Sequence, residues 1–115
     1  MNVTIYHNPR CSKSRATLEL LKSRGIEPNI VEYLESPPDE SVIRDLIDIL
    51  GLQPMALVRR GEDAFGQSGL DRDETDRRRI AAALHRWPRL MQRPVVVVDG
   101  QARIGRPPEN VLEIL

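Results

Sequence analysis

The sequence predicts an α/β fold in which a mixed four-stranded sheet is flanked by helices, with a helical insertion between a βαβ half and a ββα half. Two strand patterns, over residues 3–6 and 28–33, enclose a helical pattern near the N-terminus. A hairpin pattern followed by a helical pattern lies near the C-terminus, and helical patterns alone lie between these halves. A strand, a helix and a second strand in that order form a parallel pair, because parallel strands need a crossover connection.

The first strand and the first helix meet at a segment that carries the only cysteine of the chain. Residues 3–6 are β-branched and aromatic, Asn8-Pro9 ends the strand pattern, and an apolar helical face follows over residues 18–21. Cys11 is therefore predicted at or beside the helix N-terminus.

The surroundings of Cys11 favour a thiolate. Unpaired backbone N–H groups and the positive end of the helix dipole stabilise an anion at a helix N-terminus. Three basic residues add positive charge nearby, namely Arg10, Lys13 and Arg15. The alternative is a structural cysteine in an apolar pocket, but the polar and basic neighbours favour a reactive thiol. We therefore predict Cys11 as a nucleophile whose pocket can also hold a tetrahedral anion.

The central part of the chain is predicted as the helical insertion. Helix start signals at residues 36–40 lead into an apolar helical face that continues until Gly51. Pro54 opens a short helix, and residues 62–73 are expected to form a loop with at most one turn of helix. A residue within 73–75 is expected to cap the next helix, which Pro88 ends.

The C-terminal part is predicted as a hairpin and a final helix. Residues 95–98 are a β-branched run, Asp99-Gly100 is typical of a type I′ turn, and residues 101–104 form the returning strand. Pro107-Pro108-Glu109 then begins an amphipathic helix. This order of elements is that of a thioredoxin-like domain, with the strand before Cys11 in the sheet interior. The length suits one core, so we predict a single domain over residues 1–115.

Composition excludes several classes of protein. Seventeen basic residues balance seventeen acidic ones, so no overall field favours nucleic acid or an acidic membrane. One cysteine excludes an internal disulfide, a CxxC redox pair and a Cys-rich zinc site, and no metal site is predicted. No segment has the pattern of a signal peptide or the apolar length of a membrane span, so we expect a cytoplasmic protein.

Four motifs spread along the chain are specific in combination. They are Ile5-Tyr6-His7-Asn8-Pro9-Arg10-Cys11-Ser12-Lys13-Ser14-Arg15, Tyr33-Leu34-Glu35-Ser36-Pro37-Pro38, Arg93-Pro94-Val95-Val96-Val97 and Gly105-Arg106-Pro107-Pro108-Glu109. With these motifs the chain resembles the glutaredoxin-coupled arsenate reductases of bacteria and their less characterised relatives, almost from end to end.

The resemblance implies a set of site residues. Cys11 matches the cysteine that attacks arsenate, His7 matches a histidine that helps to keep it ionised, and Ser14 matches a serine that hydrogen-bonds near the sulfur. Three arginines match those that bind the oxyanion, namely Arg59, Arg93 and Arg106. We also predict that Arg15 contributes to substrate binding. Guanidinium groups suit this role because they satisfy tetrahedral oxyanions by paired hydrogen bonds.

The resemblance also implies a reaction, the reduction of arsenate or a related oxyanion to arsenite in arsenic detoxification. Cys11 would form a thiol-arsenate adduct, glutathione would enter as co-substrate, and glutaredoxin would resolve the mixed disulfide, because the chain has no second cysteine. No bound cofactor is expected. Two alternatives remain open. One is an Spx-like regulatory or binding module, although such modules switch through a CxxC pair and position 14 is serine here. The other is a monothiol oxidoreductase or glutathione transferase that acts on another substrate.

The Arg93-Pro94 peptide bond is predicted to be cis. Thioredoxin-like domains place a cis-proline directly before the third strand and opposite the active cysteine, and Pro94 precedes the strand over residues 95–98. The cis form of an X–Pro bond costs only about 0.5 to 1 kcal/mol relative to trans.

Overall fold

A computed structural model describes all 115 residues and contains a four-stranded sheet. Its strands are β1 (Val3–His7), β2 (Asn29–Glu32), β3 (Val95–Val98) and β4 (Gln101–Ile104). The spatial order is β2-β1-β3-β4, in which β1 pairs parallel with β2 and antiparallel with β3, and β3 pairs antiparallel with β4. The predicted mixed sheet, with the strand before Cys11 in its interior, is confirmed.

Helices account for most of the remaining elements. The α-helices are α1 (Ser12–Ser23), α2 (Glu40–Leu50), α3 (Asp63–Ser68) and α4 (Arg77–Arg86). Short 3₁₀ helices span Pro54–Leu57, Pro88–Leu90 and Pro108–Ile114. None of these helices combines the length and the apolar character that a membrane crossing requires.

The chain divides into two compact units. The first consists of Met1–Ser36 and Arg93–Leu115 and holds the sheet, α1 and the last 3₁₀ helix. Alternate residues of β1 face its core, as a two-residue strand period requires. The buried core residues of this unit are Val3, Ile5, Leu21, Val96, Val98, Val111 and Ile114. The prediction of a single domain over residues 1–115 stays a prediction.

The second unit consists of Pro37–Gln92. Helix α2 buries Ile43, Leu46, Ile47 and Leu50, a spacing that places all four side chains on one helix face. This helix packs against α4 and ends at Gly51, whose φ of 66° is the left-handed conformation that glycine adopts readily. The buried apolar face of α2 therefore contributes to the stability of this unit.

Three local predictions differ from the structure. The cap of α4 is Asp76, because it directly precedes the helix and its carboxylate accepts the N–H groups of Arg78 and Arg79 at 2.9 and 3.4 Å. The expected single turn after residue 62 is the six-residue helix α3. The last helix is 3₁₀ rather than α, as short helical segments often are.

Candidate active site

Asn8 shapes the loop that joins β1 to α1. Its side-chain Oδ1 accepts the Arg10 N–H at 3.0 Å, and its carbonyl accepts the Cys11 N–H at 3.0 Å. Cys11 thereby becomes the N-cap residue of α1, with an extended backbone, and its own carbonyl accepts the Arg15 N–H at 2.9 Å. The predicted position of Cys11 at the helix N-terminus is confirmed.

The thiol of Cys11 lies beside a guanidinium group. Only 8% of the residue's surface is exposed, and its side chain makes no capping hydrogen bond to α1. Arg106 directs Nη1 toward Cys11 Sγ at 3.9 Å, and the same nitrogen donates to the Arg93 carbonyl at 3.2 Å. Arg106, which is 95 residues away in sequence, therefore places a positively charged group beside the sulfur, and the Arg93 carbonyl helps to hold it there.

Arg93 precedes a cis peptide bond, and its side chain has a buried hydrogen-bond donor. The Arg93-Pro94 bond is cis, as predicted from the sequence, and Arg106-Pro107 is a second cis bond that was not predicted. The Nε group of Arg93 is buried and has no hydrogen-bond partner among the protein atoms. Such a donor is costly to leave unpaired, so Arg93 Nε is a candidate donor to an external acceptor.

Ser14 hydrogen-bonds both to His7 and to the loop that precedes α1. His7 Nδ1 lies 2.6 Å from Ser14 Oγ, both residues are buried, and the Asn8 N–H donates to the same oxygen at 3.0 Å. Burial lowers the pKa of His7, the charge of Glu32 raises it, and Lys22 and Arg15 lower it further. The neutral imidazole can accept the Ser14 hydroxyl proton. His7 is therefore bonded to the first turn of α1 through Ser14, and the catalytic roles expected of His7 and Ser14 stay predictions.

We expect acid to destabilise the protein through His7. Its pKa is lower in the folded chain than the ~6.5 of an unfolded histidine, so the unfolded chain binds the proton more readily as the pH falls. The free energy of unfolding is then largest above about pH 6.5 and decreases as the pH falls through the folded pKa. Chemical denaturation between about pH 7.5 and pH 5 measures this dependence.

A matched pair of variants tests the role of His7. His7→Gln should flatten the pH dependence of the unfolding free energy in that interval. His85→Gln should leave it as in the wild type, because His85 is an exposed histidine that contacts the Pro38 carbonyl at 2.8 Å. Equal slopes for the wild type and His7→Gln would contradict the expectation.

Arg15 lies on the exposed side of α1. Its Nη1 donates to the Pro9 carbonyl at 2.9 Å and so braces the loop before Cys11. The expected contribution of Arg15 to substrate binding stays a prediction.

Arg59 belongs to the second unit, where its side chain forms an ion pair with Glu62. Its backbone N–H donates to the Leu90 carbonyl at 2.7 Å. The neighbouring Arg60 donates from Nε to the Arg72 carbonyl at 2.9 Å, a local structural contact. The oxyanion-binding role expected of Arg59 stays a prediction.

Two residues near Arg106 were not predicted as site residues from the sequence. Asn110 Nδ2 donates to the Arg106 carbonyl at 3.1 Å, and Gly105 contacts both α1 and Pro94. The sequence offers a weak signal for Gly105 alone, since a glycine directly before a site arginine is typical of a turn.

A single thiol at a helix N-terminus, an arginine directed at its sulfur and a cis-proline before the third strand of a mixed sheet are features of a thioredoxin-like domain. The chain belongs to the ArsC family, whose model matches residues 6–114. The resemblance inferred from the motifs is therefore confirmed.

Three relatives illustrate this membership. The chain is 51% identical over 114 residues to the uncharacterized protein YfgD of Escherichia coli K12, covering 98% of this chain and 96% of the relative. It is 42% identical over 114 residues to the arsenate reductase of Neisseria meningitidis MC58, covering 98% and 97%. The solved structure of the arsenate reductase from Vibrio cholerae is similar with a TM-score of 0.89 and 45% identity, covering 100% of this chain and 98% of that one.

Proposed function

We propose that the protein is an oxidoreductase that reduces arsenate to arsenite, with Cys11 as the nucleophile and glutathione and glutaredoxin as the source of electrons. The family and its arsenate reductase members support the substrate class. The observation that supports the chemistry most strongly is the approach of Arg106 Nη1 to Cys11 Sγ at 3.9 Å. A guanidinium group in this place stabilises the attacking thiolate and lies within reach of an anion that the sulfur attacks.

Arsenate binding is supported by three kinds of donor around Cys11. The first backbone N–H groups of α1 have no acceptor within the helix and suit an anion. Arg106 offers guanidinium N–H groups beside the sulfur, and the buried Nε of Arg93 lacks an acceptor in the protein. An arsenate oxygen would satisfy Arg93, because tetrahedral oxyanions accept several charge-assisted hydrogen bonds at once.

The proposed chemistry transfers two electrons from thiols to arsenic. The Cys11 thiolate attacks arsenic, a sulfur–arsenic bond forms, and one arsenate oxygen leaves as water after protonation. A glutathione thiolate then attacks the Cys11 sulfur, the sulfur–arsenic bond breaks, and its electron pair stays on arsenic, which leaves as arsenite. Glutaredoxin attacks the glutathione sulfur of the resulting mixed disulfide and returns Cys11 to the thiolate.

The single cysteine determines where the remaining thiols come from. Because Cys11 has no partner cysteine in the chain, both later thiols must be external. Glutathione is then a co-substrate, and no bound cofactor takes part. Such a cycle needs a reducing compartment, so we propose the cytoplasm as its location.

A coupled turnover assay tests the proposed function. Purified protein, arsenate, glutathione, glutaredoxin, glutathione reductase and NADPH should give arsenate-dependent oxidation of NADPH that stops when any one component is omitted. Phosphate is the matched control, because it has the same shape and a similar charge but is not reduced by thiols. NADPH oxidation that is no faster with arsenate than with phosphate would rule out arsenate reduction.

A further inference from the structure

Gly105 has no room for a side chain. It is buried and lies between the end of β4 and Arg106. A Cβ atom at this position would lie 2.6 Å from Thr17 Oγ1 and 2.9 Å from Pro94 Cγ, distances that real Cβ contacts essentially never show. The turn before Arg106 is thus packed directly against α1 and the cis-proline loop.

The neighbours of Gly105 are held in place. Thr17 is completely buried on α1, and its Oγ1 donates to the Lys13 carbonyl at 2.8 Å. A β-branched side chain in a helix has few rotamers available, so Thr17 cannot easily turn away. On the other side, the Pro94 carbonyl accepts the Gly105 N–H at 2.9 Å.

Gly105 directly precedes Arg106, whose backbone is held by hydrogen bonds. The Arg106 N–H donates to the Ile104 carbonyl at 2.9 Å, and the Arg106 carbonyl accepts from Asn110 Nδ2 at 3.1 Å. The side chain then reaches Cys11 Sγ. Because both backbone groups of Arg106 are hydrogen-bonded, a shift of Gly105 would disturb the backbone from which the guanidinium group reaches the sulfur.

We propose that Gly105 is a positioning residue: because it carries no side chain, the turn before Arg106 can pack against Thr17, and this packing sets the placement of the Arg106 guanidinium beside the Cys11 sulfur. This role rests on the proposed function, in which Arg106 lies beside the reacting Cys11. A residue needed only for packing would affect stability, whereas a positioning residue also changes the positive charge that Cys11 experiences.

Alkylation of Cys11 by two reagents measures this local charge. Iodoacetate is an anion and iodoacetamide is neutral, so the ratio of their rates reports the electrostatic field at the sulfur, while the intrinsic reactivity of the thiol largely cancels. The chain has one cysteine, which makes the readout unambiguous. The variants to compare are Gly105→Ala, Thr17→Ala, Thr17→Ala/Gly105→Ala and the reference Arg106→Ala.

Removal of the Arg106 charge should lower the iodoacetate to iodoacetamide ratio by about fivefold or more, since opposite charges near 4 Å interact appreciably even at a protein surface. Gly105→Ala should lower the ratio in the same direction. The double variant should move the ratio back toward the wild-type value, because it removes both Thr17 atoms near the new methyl group and leaves only the close contact with Pro94 Cγ. Thr17→Ala alone should stay near the wild-type ratio.

A folded Gly105→Ala protein with the wild-type ratio would overturn the proposal, and so would a double variant that shows no recovery. If Gly105→Ala does not fold, the double variant decides: a folded protein with a wild-type ratio supports the proposal, and an unfolded protein or a low ratio overturns it. The readout needs no arsenate, so a failure of arsenate turnover with the expected alkylation pattern would contradict the proposed function alone.

Discussion

A Cys11→Ser variant is expected to lose arsenate reduction by on the order of 10⁴-fold or more, because the chain would have no thiol to form the arsenic adduct. Its fold should survive. Cys11 occupies the N-cap position of α1 without a capping hydrogen bond, and serine is among the preferred residues at that position. The thermal unfolding midpoint should therefore be no lower than that of the wild type, so that the lost activity reflects chemistry.

Ser12→Ala is the matched control for this variant. Ser12 is the exposed first residue of α1, next to Cys11, and has no role in the proposed chemistry. The control should keep activity within about threefold of the wild type, as surface substitutions usually do. Arsenate-dependent turnover by Cys11→Ser above roughly 1% of the wild-type rate would show that Cys11 is not the nucleophile.

Removal of Arg106, which lies beside Cys11, or of Arg93, whose carbonyl bonds to Arg106, should give the second largest effect. Arg106→Ala and Arg93→Ala are each expected to weaken oxyanion binding by about tenfold to a hundredfold, which corresponds to the loss of a charge-assisted hydrogen bond. Arg106→Lys should fall between the wild type and alanine, because lysine keeps the charge and loses the planar fork. The concentration of arsenate or sulfate that protects Cys11 from alkylation measures this affinity.

Other arginines provide the controls. Arg103 lies in the same unit as Cys11 and forms an ion pair with Glu113 at 3.2 Å. Arg103→Ala should therefore leave unchanged the concentration of oxyanion that protects Cys11 from alkylation. Arg59→Ala and Arg60→Ala form a second matched pair, in which only Arg59 has the substrate role that the resemblance implies. Equal losses for all the arginine variants would indicate a diffuse positive field instead of a defined site.

The sequence predicts the environment of Cys11 well where the signals are local. The β-branched run of β1, the break at Asn8-Pro9 and the helical period of α1 each act within a few residues, so the cysteine could be placed at a helix N-terminus. The two-residue alternation of β1 could also have predicted the burial of His7. His7 continues the buried face of Val3 and Ile5, which indicates a buried and therefore neutral imidazole.

Contacts between distant segments could not be predicted from pattern alone. Arg106 and Cys11 are 95 residues apart, and Thr17 and Gly105 are 88 residues apart. No periodicity connects such pairs, and only the motif resemblance indicated that Arg93 and Arg106 belong near the thiol. The burial of Cys11 was missed for a related reason. Its neighbours in sequence are polar, and burial depends on distant segments as well as on those neighbours.

Trapping the glutathionylated protein tests the proposed chemistry most directly. Wild-type protein is mixed with arsenate and glutathione in the absence of glutaredoxin, quenched with acid and examined by intact-mass spectrometry. We predict one disulfide-linked glutathione on Cys11 that forms with arsenate, does not form with phosphate and disappears when glutaredoxin is added. An unmodified Cys11 after incubation with arsenate, or equal modification with phosphate, would contradict arsenate reduction through this thiol.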